Sequence, residues 1–214
     1  MSKHAKVVGI VGSYRKHSTI DQAVTAVLDA AANQGAETKK IYLLDQQIEF
    51  CTNCRSCMQK PGWERGQCIW QDDMENLLQQ IETADSLVIG APVNCGNINA
   101  LTQRFAERTV VYGYWPWGAP APKMRRPHCS RQAVLISSSG APGIIAKWYF
   151  KGVIKSLKAL AARLGAKPVG TLWIGLVNTK QIQLSQHICR RAQRLGEKLA
   201  VPLKSREPRI QTQM

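Results

Sequence analysis

Apolar positions follow two rhythms along this chain. Val7–Val11 is an unbroken apolar run, as expected for a strand buried on both faces. Ser86–Gly90, Gln132–Ile136 and Lys167–Trp173 repeat the theme, and Glu37–Leu44 reads as a further strand after the breaker Gly35. Between the runs, apolar residues recur at spacings of three and four. Ile20, Ala23, Val24, Val27, Leu28 and Ala31 mark a first helix. Met74, Leu77, Leu78 and Ile81 mark a second, capped by Asp72 and Asp73. Residues 98–109, 148–164 and 185–199 supply three more, with Gly165 closing the fourth.

Five apolar strands alternating with five helices predict a parallel sheet with helices on both faces. Right-handed crossovers leave few topologies, and the flavodoxin-like order 2-1-3-4-5 is the natural one. At 214 residues the chain reads as one domain over 1–203, followed by a polar tail over 204–214.

In such a sheet a ligand sits where the strands end, beside strand one. Three turns meet that description: Ser13–Thr19, Ala91–Asn97 and Ser137–Pro142, all rich in Ser, Asn, Gly and Pro. The first turn leads from strand to helix, a geometry that aims backbone N–H groups at a phosphate. It lacks the Gly-x-Gly-x-x-Gly of a dinucleotide loop and the Gly-Lys-Ser/Thr of a triphosphate loop. Its hydroxyls suit a single terminal phosphate. An ordinary turn capped by Ser18 or Thr19 is the plain alternative. Small polar groups in the other two turns suit a flat heteroaromatic ring with a polar edge.

The charge is +15, from 29 Lys and Arg against 14 Asp and Glu. This attracts anionic ligands, and a basic protein that binds nucleic acid stays open as a third function class, although no nucleic-acid module is legible. No secretory leader and no long apolar span are visible, which predicts a soluble cytoplasmic protein that does not enter membranes. Four of the seven cysteines crowd into Cys51-x2-Cys54-x2-Cys57-x10-Cys68. Four thiols on one loop suit a [4Fe–4S] cluster, a tetrahedral zinc or a metal-free thiol set. Cys129 and Cys189 read as structural or incidental. Tyr112, Tyr114, Trp115 and Trp117 form an aromatic, proline-rich loop that either covers a pocket or packs on its own domain.

The motifs Gly12-Ser-Tyr-Arg-Lys-His-Ser18, the cysteine run, Asp72-Asp73-Met74, Ala91-Pro-Val-Asn94 and Arg104-Phe-Ala-Glu-Arg108 occur in that order. Together they resemble the NADPH-dependent FMN reductase branch of the flavodoxin-like superfamily, and within it the iron–sulfur flavoproteins. The resemblance spans about residues 5–175. It implies FMN, with its phosphate held by Ser13, Arg15, Ser18, Thr19 and the Ile20 amide. It places Pro92, Val93, Asn94, Cys95 and Gly96 against the isoalloxazine ring, and Ser137, Ser138, Ser139 and Gly140 at its other edge. Where the family turn ends in Asn-Thr, this chain has Thr19-Ile20; where the family often has an aromatic, it has Cys95. The last cysteine gap is also longer than the family's.

The implied activity is an NAD(P)H-dependent oxidoreductase with a quinone, azo, nitro, metal-ion or protein acceptor. No acid–base residue is required. The alternative is an electron carrier between FMN, a [4Fe–4S] cluster on Cys51, Cys54, Cys57 and Cys68, and ferredoxin. Relatives are commonly homodimers or homotetramers. Arg15 is expected at the FMN phosphate, Lys16 in solvent, and Arg104 and Arg108 in ion pairs with Glu107 or a partner chain.

Overall fold

The computed structural model describes residues 4–126, 130–179 and 183–201, with backbone alone at 144 and 147. The tail expected over 204–214 and Cys129 lie outside the described residues.

Strand β1 (Lys6–Val11) runs into α1 (Thr19–Asn33), followed by β2 (Glu37–Tyr42), α2 (Met74–Glu82) and β3 (Ser86–Asn94). A short return strand β4 (Asn97–Ile98), helix α3 (Ala100–Arg108) and a two-residue ribbon, β5 (Gly113–Tyr114) with β6 (Lys123–Met124), come next. The chain closes with β7 (Arg131–Ser138), α4 (Gly143–Tyr149), α5 (Lys151–Arg163), β8 (Ala166–Ile174) and α6 (Gln186–Leu199). The main sheet has the order β2-β1-β3-β7-β8 with parallel neighbours, the flavodoxin-like order expected.

Alternation along the strands splits the core in two. Val7, Val11 and Val88 face α1 and α6, where they meet Val24, Val27 and Leu195. Val8, Ile10 and Ile89 face α2, α3 and α5, where they meet Leu77, Phe105 and Leu157. At roughly 25 cal/mol per Å² of apolar area, these two interfaces are the main favourable term of folding.

Four local expectations are corrected. Ala91–Asn97 is not a free loop: β3 continues to Asn94 and turns at Cys95 and Gly96, both with positive φ, into β4. A two-residue hairpin demands such φ values. Ser137 and Ser138 belong to strand β7, beside Ala91 and Pro92, rather than to the turn after it. The helix expected over 148–164 is two helices, broken at Phe150 (φ −99°, ψ 31°), whose carbonyl accepts from the Val153 amide at 3.0 Å. The aromatic stretch 112–122 is partly ordered as the β5–β6 ribbon.

Candidate functional site

The carboxyl ends of β1, β3 and β7 open into one cleft of about 250 Å³. Gly12, just before the lining residue Ser13, anchors the turn that borders it. The Gly12 amide donates to the Gly90 carbonyl at 2.7 Å, and its own carbonyl accepts from Asn99 Nδ2 at 2.7 Å and Thr102 Oγ1 at 3.3 Å. A Cβ at residue 12 would stand 2.1 Å from Thr102 Oγ1, so only glycine admits the start of α3 this close.

Beyond Gly12 the turn is built from its own polar groups. Ser13 Oγ accepts from the Arg15 amide at 3.2 Å. Ser18 caps α1, accepting from the Asp21 amide at 3.3 Å. His17 takes a left-handed φ of 58°, and its amide donates to Asp21 Oδ2 at 2.6 Å. Asp21 is buried under the helix start with Lys40 and Tyr42 as donors, at 2.9 and 3.0 Å. Burial alone would raise the Asp21 carboxyl, but these donors and the His17 amide outweigh it and hold it below its ordinary value. A charged Asp21 keeps the first turn of α1 in place. The amides of Thr19 and Ile20 are among the four that a helix cannot pair internally, and they border the cleft.

Ser13, Arg15, Ser18, Thr19 and Ile20 line the cleft on the helix side. Pro92, Val93 and Asn94 line it from β3, and Ser138, Ser139 and Gly140 from β7. Three expected residues do not. Ser137 is fully buried and donates to the Ala91 carbonyl at 2.9 Å, because it faces into the sheet. Cys95 and Gly96 form the exposed hairpin tip, one turn beyond the lining. Lys16 is exposed, as expected, and pairs at the surface with Asp45 at 2.8 Å.

Three lining residues went unforeseen: Tyr14, Asn99 and Val177. Asn99 had a legible signal, a helix cap before Ala100: its side chain accepts from the Thr102 amide at 3.0 Å. Tyr14 Oη accepts from the Leu101 amide at 3.3 Å, a contact between turn and α3 that no local pattern announces. A larger open groove of about 430 Å³ is lined by Asp21, Thr25 and Lys40 among others, and Lys40 already donates there to both Asp21 and Thr25.

The second feature is the cysteine loop. Cys51, Cys54, Cys57 and Cys68 border one small pocket of about 20 Å³, together with Met58, Arg108 and Val111. Cys54 is exposed and Cys57 buried. Burial pushes the Cys57 thiol up to about 11, reinforced by the nearby sulfurs of Cys68, Cys51 and Cys54. Hydrogen bonding from Ser56 draws Cys54 below its ordinary value. Among the described residues, no three His, Cys, Asp or Glu side chains stand as one metal ion requires. The thiols instead ring a common pocket, and a cubane spreads its thiolates wider than a single ion does. Seating one means parting the side chains that now fill this pocket.

The long gap after Cys57 is a folded excursion. Gly66 returns directly onto Cys57, where a Cβ would stand 1.7 Å from the Cys57 carbonyl, and its amide donates to the Val111 carbonyl at 2.8 Å. Arg125 pins the excursion from beneath, donating to the carbonyls of Cys57, Lys60, Gly62 and Gly113 at 2.9–3.2 Å. Arg65 binds Glu75 and, at 3.3 Å, Glu82. Arg55, with a left-handed φ of 58°, lies 3.5 Å from the Trp115 ring centre and 4.5 Å from that of Trp117. The aromatic loop thus packs on its own domain through the cysteine loop. Arg108 pairs with Asp72 rather than with Glu107, which is exposed and bonded to Gln103. Asp72 is therefore spent on that pair as well as on the Met74 amide at 3.1 Å, while Asp73 makes no side-chain cap.

The sequence relatives are named iron–sulfur flavoproteins. An iron–sulfur flavoprotein of Archaeoglobus fulgidus is 33% identical over 111 residues, covering 52% of this chain and 48% of the relative. One of Methanosarcina thermophila is 28% identical over 106 residues, covering 50% and 53%. The chain thus spans about half the length of these curated relatives. Among solved structures, an NAD(P)H:quinone oxidoreductase from Methanothermobacter marburgensis superposes with a TM-score of 0.69 at 16% identity, covering 92% of this chain and 100% of that one. An FMN-dependent NADH-azoreductase from Bacillus anthracis in complex with FMN gives 0.63 at 17% identity, covering 92% and 97%. At those identities the superpositions show the shared flavodoxin-like fold. The family model for NADPH-dependent FMN reductases matches residues 5–176, from the start of β1 through the last strand of the sheet, and the chain belongs to that family.

Proposed function

We propose that the cleft binds FMN and that the chain is an NAD(P)H-dependent oxidoreductase acting on a quinone, azo or nitro compound or on a protein acceptor. The observation that carries this reading is the convergence of the β1, β3 and β7 ends on one cleft whose helix side presents Arg15, Ser18 and Thr19. When bound, FMN supplies hydride acceptance from a nicotinamide and onward transfer of one or two electrons.

The chain's residues do the rest. Arg15 and the hydroxyls of Ser18 and Thr19 bind the phosphate at the positive end of α1. Pro92, Val93 and Asn94 form one wall for the ring, and backbone groups of Ser138–Gly140 meet its polar edge. The described lining has no Asp, Glu, Lys or His, so orientation and water exclusion, not side-chain proton transfer, are the protein's contribution. The quinone oxidoreductase and the FMN-bound azoreductase that share the fold support this reading.

The four thiols around one pocket support a second group, a [4Fe–4S] cluster on Cys51, Cys54, Cys57 and Cys68. With it, the protein would also pass electrons singly, as the names of its relatives suggest.

Titration with FMN and riboflavin, followed by flavin fluorescence, tests the assignment. Arg15 is exposed, so Arg15→Ala leaves the fold intact. It removes a charged hydrogen bond of about 1.5–3 kcal/mol, weakening FMN binding about tenfold or more while riboflavin binding stays unchanged. Equal loss for both flavins, or no FMN binding at all, overturns the assignment.

A further inference from the structure

Arg108 is the last residue of α3, and its side chain is 1% exposed. Its position is over-determined. Nη1 donates to Asp72 Oδ2 at 2.5 Å and to the Glu49 carbonyl at 2.8 Å. Nη2 donates to Asp72 Oδ1 at 3.1 Å and to Cys68 Sγ at 3.5 Å. Asp72 is itself fixed, 7% exposed and accepting from the Glu49 and Met74 amides at 2.8 and 3.1 Å. A planar guanidinium clamped on both oxygens of a fixed carboxylate cannot swing away. Its remaining Nη2 proton is therefore committed to the Cys68 sulfur, at the edge of the pocket that all four thiols border.

We propose that Arg108 is a positioning residue that sets the electrostatic poise of whatever redox group the four cysteines hold. It orients Cys68 by donating an N–H to its sulfur and raises the group's reduction potential. The inference rests on the reading of these cysteines as ligands of an iron–sulfur cluster. Its sign follows from charge. Reduction adds an electron beside a buried cation, where charges interact more strongly than in water, and hydrogen bonds to ligand sulfur are a known lever on cluster potential. Asp72 works in the opposite sense, offsetting part of the Arg108 charge. Two neighbouring residues thus make opposite contributions to one potential, while both contribute to stability in the same sense.

The test uses the full chain, reconstituted anaerobically with iron and sulfide, in wild-type, Arg108→Gln, Arg108→Lys and Asp72→Asn forms. Each is titrated with dithionite against mediators and followed by visible absorption and electron paramagnetic resonance. Arg108→Gln is expected to favour the oxidised form by about tenfold, a 59 mV fall for a one-electron couple. Asp72→Asn is expected to shift the potential upward, and Arg108→Lys to fall between wild type and Arg108→Gln. A role confined to structure lowers the melting temperature of all the variants and leaves the potentials together. If Arg108→Gln does not fold, Asp72→Asn and Arg108→Lys still carry opposite expected signs. Potentials that do not move, or an Asp72→Asn shift in the same direction as the Arg108 variants, overturn the inference while the cluster reading stands. Wild-type protein that takes up no iron overturns the cluster reading, and the inference falls with it.

Discussion

At the scale of single residues, the cleft depends on what is absent at position 12 as much as on any side chain. Gly12 has an ordinary φ; its requirement is for space, because Thr102 and Asn99 both reach its carbonyl. Gly12→Ala forces Thr102 aside and loosens the start of α3 from the turn between β1 and α1. Overpacking of this kind costs about 1–3 kcal/mol. In a chain of this size that lowers the melting temperature by about 2–4 °C per kcal/mol. Adding Thr102→Ala, which removes the nearest clashing atom, should restore part of the loss in thermal unfolding. A Gly12→Ala protein as stable as wild type would contradict the packing described. This constraint was not legible in the sequence. Gly12 reads there as the end of a strand, while its partner lies 90 positions away.

At the scale of elements, α3 is a strut between the two candidate sites. Its cap, Asn99, holds the turn between β1 and α1 through the Gly12 carbonyl, and its last residue, Arg108, touches the cysteine pocket. The cysteine loop has little regular structure and relies on Arg125, whose buried guanidinium collects four carbonyls. Arg125→Met would leave those carbonyls short of donors, at about 1–3 kcal/mol for a buried unsatisfied group. The expected result is local: amide hydrogen exchange accelerates across residues 57–68 while β1 and β3 stay protected. Uniform acceleration, or none, would contradict that role.

Elements differ in how readily they can be read. The buried strands and amphipathic helices announce themselves by period, and the β2-β1-β3-β7-β8 order follows from alternation and handedness. Elements that carry polar residues do not. Asn94 and Pro92 look like loop residues yet extend β3, and Ser137 looks like a turn residue yet sits inside β7, its hydroxyl satisfied by the Ala91 carbonyl. The run Trp148-Tyr149-Phe150 hides the break between α4 and α5 because it is apolar throughout. Of the candidate site, the hydroxyls and cysteines are visible as local motifs. Tyr14, the reach of Asn99 to Gly12 and the Arg108–Asp72 pair are not, because each acts through a residue distant in sequence.

For the whole molecule, charge is unevenly divided. No Asp or Glu occurs from 108 to 196, whereas Lys and Arg recur throughout that stretch. The half carrying β7, α5 and β8 is thus strongly cationic, and such a field concentrates anionic ligands of the class to which FMN and NADPH belong. Among the described residues no helix is long and apolar enough to cross a membrane. FMN in the cleft of this basic three-layer domain, reduced by hydride from a nicotinamide, would leave a spectroscopic record. The most direct measurement is the visible absorption spectrum of the full chain, loaded with FMN under anaerobic conditions, before and after NADPH. The expected result is a two-band flavin spectrum that bleaches on addition of NADPH and recovers when a quinone is supplied. A protein that binds no flavin, or a bound flavin that NADPH leaves oxidised, would contradict it.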